Sequence, residues 1–165
     1  MTRFSIAPLA PHHDRRSFES ASPLLDRYFR EQVSQDVRRL VAACYVATLV
    51  DTGAVAGFYT LAAGSVVLTD LPEATISKLP RYPAVPVARL GRLAVHRRFA
   101  GQQLGAALLW DAAQRALASS VAAFALVVDA KDHHAAAFYR HHGFIPFNEK
   151  PLQLFLPLAS LRSGV

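Results

Sequence analysis

The sequence predicts a mixed α/β sheet with helices on both faces. Two observations support this fold class: short β-prone runs alternate with segments whose apolar residues recur at helical spacing, and glycine and proline clusters punctuate them. The chain has 165 residues, of which 52% are hydrophobic and 18% are charged. That size and composition suit one globular unit with a sizeable core, so we expect a single domain over residues 1–165.

The N-terminal third predicts an edge strand followed by a long helix. Phe4–Leu9 is a short apolar run between prolines, as in edge strands. Ser22 is a favourable N-cap and Pro23 suits the first helical position. An apolar face at helical spacing follows; its members are Leu24, Leu25, Tyr28, Phe29, Val33, Val37, Leu40 and Val41.

A hairpin and a proline-rich segment come next. Cys44–Val50 and Ala54–Leu61 are β-rich runs joined by a turn that contains Gly53. Residues 66–86 hold four prolines and one potential helical turn near Glu73–Ser77. We expect this segment to leave the sheet and return to it.

The C-terminal half predicts a strand, a helix and a further strand. Val87–Val95 reads as a strand, and the broken alternation around Gly91 indicates a bulge. Gly101 is predicted to open a long helix with Leu104, Leu108, Ala112 and Ala116 on one face, and Ala123–Val128 is typical of a strand covered on both faces.

A short helix and the last strands complete the chain. Asp132 is predicted to cap a helix over Ala135–His141, and Gly143 to end it in a left-handed conformation. Phe144–Leu158 then holds one or two strands interrupted by prolines.

Composition excludes several classes of protein. One cysteine, Cys44, allows no internal disulfide framework and no cysteine-rich zinc site. The longest apolar stretch, Leu40–Val50, is shorter than the about 20 residues that cross a bilayer, and Met1–Asp14 lacks an apolar signal core. We expect a cytoplasmic protein with no membrane partner.

The net charge of +6 favours a polyanionic partner.

Residues 90–106 form the first candidate site. A strand leads through a loop with Arg97, Arg98 and Gly101 into a helix that contains Gly105. The first turn of a helix exposes unpaired N–H groups that bind phosphate, and glycines permit close approach. An ordinary strand–helix turn with solvated arginines is the alternative interpretation.

Residues 128–144 form the second candidate site. Four histidines there, His133, His134, His141 and His142, suggest a metal site. Adjacent residues do not converge on one helix face, however, and no carboxylate stands at HExxH spacing. We therefore expect no metal.

Together the two stretches resemble the GNAT acetyltransferases, and more narrowly the GNAT toxins of bacterial type II toxin–antitoxin systems. The second motif of that family, N-x-x-A-x-x-[FL]-Y followed by G-F, matches here, as does part of the first, Q/R-x-x-G-x-G/A. The matching residues are Asp132, Ala135, Phe138, Tyr139, Gly143 and Phe144 in the second motif and Gly101, Leu104, Gly105 and Ala106 in the first. Toxin-like islands are spread over the chain, at residues 25–30, 35–36, 57–61, 79–83, 90–95 and 154–157. Ala100, Gln103 and Asp132 depart from the usual Gln or Arg, Gly and Asn.

The resemblance implies a GNAT fold: a mostly antiparallel central sheet splayed between two neighbouring strands. It also implies acetyl-CoA as co-substrate, with backbone groups of Leu93 and Val95 on the pantetheine arm and Tyr139 as general acid. The residues implied in cofactor binding are Leu93, Ala94, Val95, Arg97, Arg98, Phe99, Ala100, Gly101, Gln102, Gln103, Leu104, Gly105, Ala106, Asp132 and Phe138.

The acceptor is expected to be the α-amino group of aminoacyl-tRNA. Neither motif supplies a carboxylate base. An α-amine with a pKa of about 8 needs such a base less than a lysine amine with a pKa of about 10.4, because more of it is neutral at neutral pH. The basic residues that we expect to contact RNA are Arg27, Arg38, Arg39, Lys78, Arg81, Arg89 and Arg92; for each of them alone, a solvated surface position is the alternative.

The toxin resemblance further implies two protein partners, a small antitoxin of the ribbon-helix-helix type and a second copy in a homodimer. Two other functions stay open. One is acetylation of a small amine or a protein N-terminus, and the other is a DNA-associated partner protein without enzymatic activity.

Overall fold

Seven strands and five α-helices span residues 3–162, which are the residues that this computed structural model describes. Their bounds are β1 Phe4–Pro8, α1 Pro23–Glu31, α2 Val33–Arg38, β2 Ala43–Leu49, β3 Val55–Val67, α3 Glu73–Ile76, β4 Ala84–Val95, α4 Leu104–Ala118, β5 Ala125–Asp129, α5 His133–His141, β6 Ile145–Phe147 and β7 Lys150–Pro157.

The strands form one sheet in the order β1-β2-β3-β4-β5-β7-β6. Strands β1 and β2, β2 and β3, β5 and β7, and β6 and β7 pair antiparallel, whereas β4 and β5 pair parallel. The predicted mixed, mostly antiparallel sheet is therefore confirmed, and β1 is an edge strand as expected.

Two compact units make up the described chain. The first contains residues 3–62 and 91–112, and the second contains residues 63–90 and 113–162. In the first unit, an aromatic core joins α1 to β3, because Phe29 stacks on Phe58 with ring centroids 4.2 Å apart. Cys44 lies in this core, and burial raises the pKa of its thiol to about 12, as befits a structural rather than a reactive cysteine.

The helix predicted after Ser22 begins as expected but is interrupted. The Ser22 side chain accepts a hydrogen bond from the Leu25 N–H, and Pro23 stands at the first position. Gln32 separates α1 from α2, and the two helices keep the same apolar spacing, so periodicity alone could not reveal the break. Leu24, Leu40 and Val41 are exposed, contrary to the prediction.

In the second unit, the apolar cluster includes Leu71, Val85, Val127 and Phe155. Strand β3 extends to Val67 rather than ending at Leu61. The segment between β3 and β4 contains α3, which confirms the predicted helical turn. The Asn148 amide donates to the Leu71 carbonyl at 2.8 Å and fixes this segment to the β6–β7 hairpin. Within residues 3–162, no helix is both long and apolar enough to cross a membrane.

Candidate active site

The loop after β4 is fixed at its start by backbone hydrogen bonds. The His96 N–H donates to the Ala56 carbonyl at 2.7 Å, and a 3₁₀ turn follows over Arg97–Phe99. The His96 Nδ1 caps this turn by accepting from the Arg98 N–H at 3.1 Å. The loop therefore begins at a defined position relative to β3.

The next residues adopt left-handed backbone conformations. Gly101 has a φ of +78° and Gln103 a φ of +63°, so α4 begins at Leu104 and not at Gly101, contrary to the prediction. A left-handed φ costs a non-glycine residue about 1–2 kcal/mol, which explains a glycine preference at position 103. A Cβ added at Gly101 would meet no atom within 4 Å. The backbone at Gly101 is thus open to a ligand.

The two arginines of the loop differ in their partners. The Arg97 guanidinium lies 3.3 Å from the Glu19 carboxylate, and the Arg97 N–H donates to the Glu19 carbonyl at 2.8 Å. Arg98 lies over the ring of buried Phe99, 5.8 Å from its centroid, and makes no ion pair within the described part of the chain. Its charge is available to an anion at the loop.

The first turn of α4 is anchored in the first unit. Leu104 is buried, whereas Gly105 and Ala106 are half-buried and Ala100, Gln102 and Gln103 are exposed. Gln102 accepts a hydrogen bond from the Arg3 guanidinium. The exposed backbone of residues 100–103 therefore lies between two fixed points, Phe99 and Leu104.

The C-terminal part of β4 carries the residues expected to contact the pantetheine arm. Parallel pairing with β5 covers Val87–Leu90 of β4 and ends at the pair Leu90–Val128. Strand β4 continues from there to Val95. Ala94 is buried and Leu93 and Val95 are half-buried, whereas Gly91 and Arg92 are both exposed.

Helix α5, in the second unit, carries the predicted general acid. Asp132 caps the helix by accepting from the Ala135 N–H at 2.8 Å, and Gly143 ends it with a φ of +94°. Both capping predictions are confirmed, although the helix begins at His133 rather than Ala135. The half-buried Tyr139 ring contacts Phe138 and Phe144 at centroid distances of 5.3 and 5.5 Å, and burial raises the pKa of its hydroxyl. The phenol is therefore protonated at neutral pH.

The four histidines of this segment are exposed. Within residues 3–162, no group of three or more histidine, cysteine, aspartate or glutamate residues has a geometry that could hold a metal ion.

The basic residues predicted to bind RNA fall in both units and differ in their contacts. Arg27 pairs with Glu31 at 2.9 Å, and Arg89 lies 3.9 Å from Asp129. Arg92 instead lies over the Tyr28 ring, 3.7 Å from its centroid. The remaining candidates lie at exposed positions, with Lys78 and Arg81 in the second unit; they are Arg38, Arg39, Lys78 and Arg81.

Three contacts that position Ala94, Arg97 and Tyr28 were not predicted from the sequence. Gly57 of β3 lies against the Ala94 carbonyl, Glu19 holds Arg97, and Asp36 accepts the Tyr28 hydroxyl at 2.8 Å. Each contact joins residues far apart in the chain or across a helix break, so no local pattern signals it. A cavity of about 530 Å³ also lies in the first unit beside Glu19, lined by Arg16, Phe18, Asp26, Arg30 and Arg97 among others.

The fold and these motifs define an acyltransferase of the acetyl-CoA-using class. Residues 9–144 match the acetyltransferase (GNAT) family, and the chain belongs to that family. It is 39% identical to a tRNA-acetylating toxin of Mycobacterium tuberculosis, over 91% of this chain and 89% of the relative. It is 30% identical to a probable toxin TacT of Sinorhizobium fredii, over 96% and 93%.

Solved structures of related toxins share the fold along nearly the whole chain. A structure of AtaT complexed with acetyl-methionyl-tRNAfMet has a TM-score of 0.89 at 27% identity and covers 96% of each chain. AtaTR bound with AcCoA has a TM-score of 0.82 at 28% identity, over 98% of this chain and 97% of that one. A mutant AtaT toxin bound to the C-terminus of the antitoxin AtaR has a TM-score of 0.81 at 26% identity, over 97% and 96%.

Proposed function

We propose that this acetyltransferase is a toxin that acetylates the α-amino group of aminoacyl-tRNA and so blocks translation. The observation that carries the proposal is the 39% identity to a tRNA-acetylating toxin over 91% of the chain. The similarity to AtaT in complex with an acetylated aminoacyl-tRNA supports the same acceptor. An N-acetylated aminoacyl-tRNA lacks the free amine that peptide-bond formation requires.

The residues of the first unit suit the binding of acetyl-CoA. The pyrophosphate would lie against Arg98 and the open backbone of Gly101–Gln103, at the N-terminus of α4. The backbone groups of Leu93 and Val95 would hydrogen-bond the pantetheine arm as a neighbouring strand would. The end of β4–β5 pairing at Leu90–Val128 supports this role, because β4 continues beyond it. The positions assigned to cofactor contact include Asp132 and Phe138 on α5.

Each protein group then has one task in the transfer. Bound acetyl-CoA supplies a thioester carbonyl that an amine can attack. The Val95 N–H donates to the carbonyl oxygen as negative charge develops there. As the new C–N bond forms and the C–S bond breaks, the Tyr139 hydroxyl donates its proton to the departing thiolate, and water accepts the proton that the amine loses.

The basic surface supports an RNA acceptor. The net charge is +6, and Arg or Lys contacts to phosphates supply most of the sequence-independent affinity for RNA. We propose that the whole chain is one catalytic domain, that it acts in the cytoplasm where charged tRNA is found, and that it forms a homodimer. A small antitoxin would hold it inactive, and the ribbon-helix-helix type is the one we expect.

Transfer of label from acetyl-CoA tests the proposal. The purified protein is incubated with labelled acetyl-CoA and either aminoacyl-tRNA or the same tRNA after deacylation. We expect label only in the charged sample, in a form that mild alkali releases with the aminoacyl ester. Label confined to small amines or protein N-termini would instead favour a different GNAT acceptor. No transfer to any amine, with a change in operator affinity on mixing with an antitoxin, would favour a non-enzymatic role.

A further inference from the structure

Arg92 differs from Arg27, Arg30 and Arg97 of the first unit in the contacts of its guanidinium. Arg27 and Arg97 pair with glutamates, and the Arg30 guanidinium donates to the Phe18 carbonyl at 2.8 Å. The Arg92 guanidinium has no carboxylate at ion-pair distance among residues 3–162. It lies over the Tyr28 ring at 3.7 Å, a stacking distance, and the residue is exposed. Its outer face and its N–H donors are accordingly available to a ligand.

The platform beneath Arg92 is rigid. Tyr28 is 8% exposed, and its ring stacks on the Phe58 ring with a centroid distance of 6.5 Å. Its hydroxyl donates to Asp36 at 2.8 Å, and the Gln32 amide donates to the same carboxylate at 3.1 Å. The Arg92 N–H donates to the Thr60 hydroxyl at 3.1 Å, so both the side chain and the backbone of Arg92 are fixed.

Arg92 lies close to the proposed acetyl-transfer point in the same unit. Arg92 and Val95 are three positions apart on β4, which corresponds to about 10 Å along a strand. The amine of an aminoacyl-tRNA is carried on the 3′-terminal ribose. If the acetyl group is transferred at Val95, the single-stranded nucleotides next to that ribose come within reach of the Arg92 side chain.

We propose that the Arg92 guanidinium, held on Tyr28, stacks on a base of the single-stranded 3′ end of the acceptor RNA. Single-stranded RNA is commonly bound through stacking of its bases on aromatic rings and guanidinium planes. This inference rests on the proposed aminoacyl-tRNA acceptor. It adds a contact to a base, whereas the other basic residues would contact phosphates.

Binding of a short RNA tests the stacking contact without any acetyl transfer. The probe is a fluorescent single-stranded RNA ending in 3′-CCA, compared at one salt concentration with a probe whose last three nucleotides are abasic. Arg92→Lys keeps the charge but removes the plane, and we expect it to weaken binding of the intact probe by about fivefold or more. Arg162→Lys, at an exposed position outside the proposed sites, is the control and should bind like the wild type.

The abasic probe separates stacking from charge. We expect the wild type to bind it about as weakly as Arg92→Lys binds the intact probe, and the variant to lose little more on the abasic probe. Equal affinity of wild type and Arg92→Lys for the intact probe would overturn the inference. So would a variant that loses as much affinity as the wild type does when the abasic probe replaces the intact one. Thermal melting of Arg92→Lys confirms that the fold is kept, and acetylation of aminoacyl-tRNA by the wild type tests the proposed function separately.

Discussion

Gly57 of β3 lies directly against the backbone of Ala94 of β4. A Cβ added at Gly57 would come within 2.9 Å of the Ala94 carbonyl oxygen and 3.0 Å of a Leu108 methyl group. The absence of a side chain at position 57 therefore sets the position of Leu93–Val95, the backbone that we propose to bind the pantetheine arm.

Gly57→Ala should displace that backbone. We expect a loss of about 1–3 kcal/mol in the free energy of unfolding, the usual cost of overpacking, together with weaker binding of acetyl-CoA. Chemical denaturation and calorimetry measure the two effects. Gly53→Ala is the matched control, since its Cβ would meet nothing within 4 Å; its turn carries a φ of +75°, so it should lose stability but keep acetyl-CoA affinity.

Gln103→Gly should stabilise the protein. Gln103 has a φ of +63°, and glycine adopts that conformation without the side-chain clash. We expect a gain of about 0.5–1 kcal/mol after the greater backbone entropy of glycine is allowed for, and acetyl-CoA binding at least as tight as before. Gln102→Gly, at a neighbouring position without a positive φ, should be destabilising, and equal effects of the two substitutions in thermal melts would contradict the strain argument.

Tyr139→Phe should remove the proton donor and keep the ring contacts with Phe138 and Phe144. We expect kcat to fall by about 100-fold or more, while the affinity for acetyl-CoA and the melting temperature stay close to those of the wild type. Steady-state kinetics and calorimetry make the measurement. A variant with full activity would remove Tyr139 from the mechanism.

The rate of transfer should rise with pH and then stay level. The α-amine must be neutral, so the rate rises toward about pH 8. Burial raises the pKa of Tyr139 above its ordinary value, so the acid stays protonated and no fall is expected below about pH 10. The same shift lowers stability only above about pH 10, where the unfolded phenol ionises first. An alkaline fall in kcat that begins near pH 8 would contradict the assignment of Tyr139 as the acid.

Asp132→Ala should loosen the helix that carries Tyr139. The Asp132 carboxylate accepts from the Ala135 N–H at 2.8 Å, and loss of such a cap costs about 1 kcal/mol. Asp132→Asn, the residue usual in the family, should keep the cap and almost all of the stability. Hydrogen exchange along residues 133–141 would show the difference, and equal exchange in the two variants would mean that the cap contributes nothing.

Local signals in the sequence predicted the parts of the fold that local physics decides. Ser22 with Pro23, and Asp132 with Gly143, start or end helices through bonds within a few residues, and these predictions held. The predicted start of α4 at Gly101 was wrong, because Gly101 and Gln103 both have a positive φ and the helix begins at Leu104. A glycine followed by apolar residues does not indicate that the helix begins three residues after the glycine.

The supports of the candidate site could not be predicted in the same way. Arg92 meets Tyr28, and Gly57 meets Ala94, only because the sheet and α1 bring distant segments together. The loop and Tyr139 were predicted as site residues because their spacing resembles the motifs of the GNAT family. The residues beneath them follow from packing, which no spacing encodes.

Profiling of aminoacyl-tRNA after brief expression tests the central claim most directly. RNA is taken from cells that express the wild type or Tyr139→Phe, and nuclease-released aminoacyl-adenosines are analysed by mass spectrometry. We predict N-acetyl-aminoacyl-adenosine in the wild-type sample and not in the variant. Unmodified aminoacyl-adenosines in both samples, while the wild type arrests growth, would contradict the account.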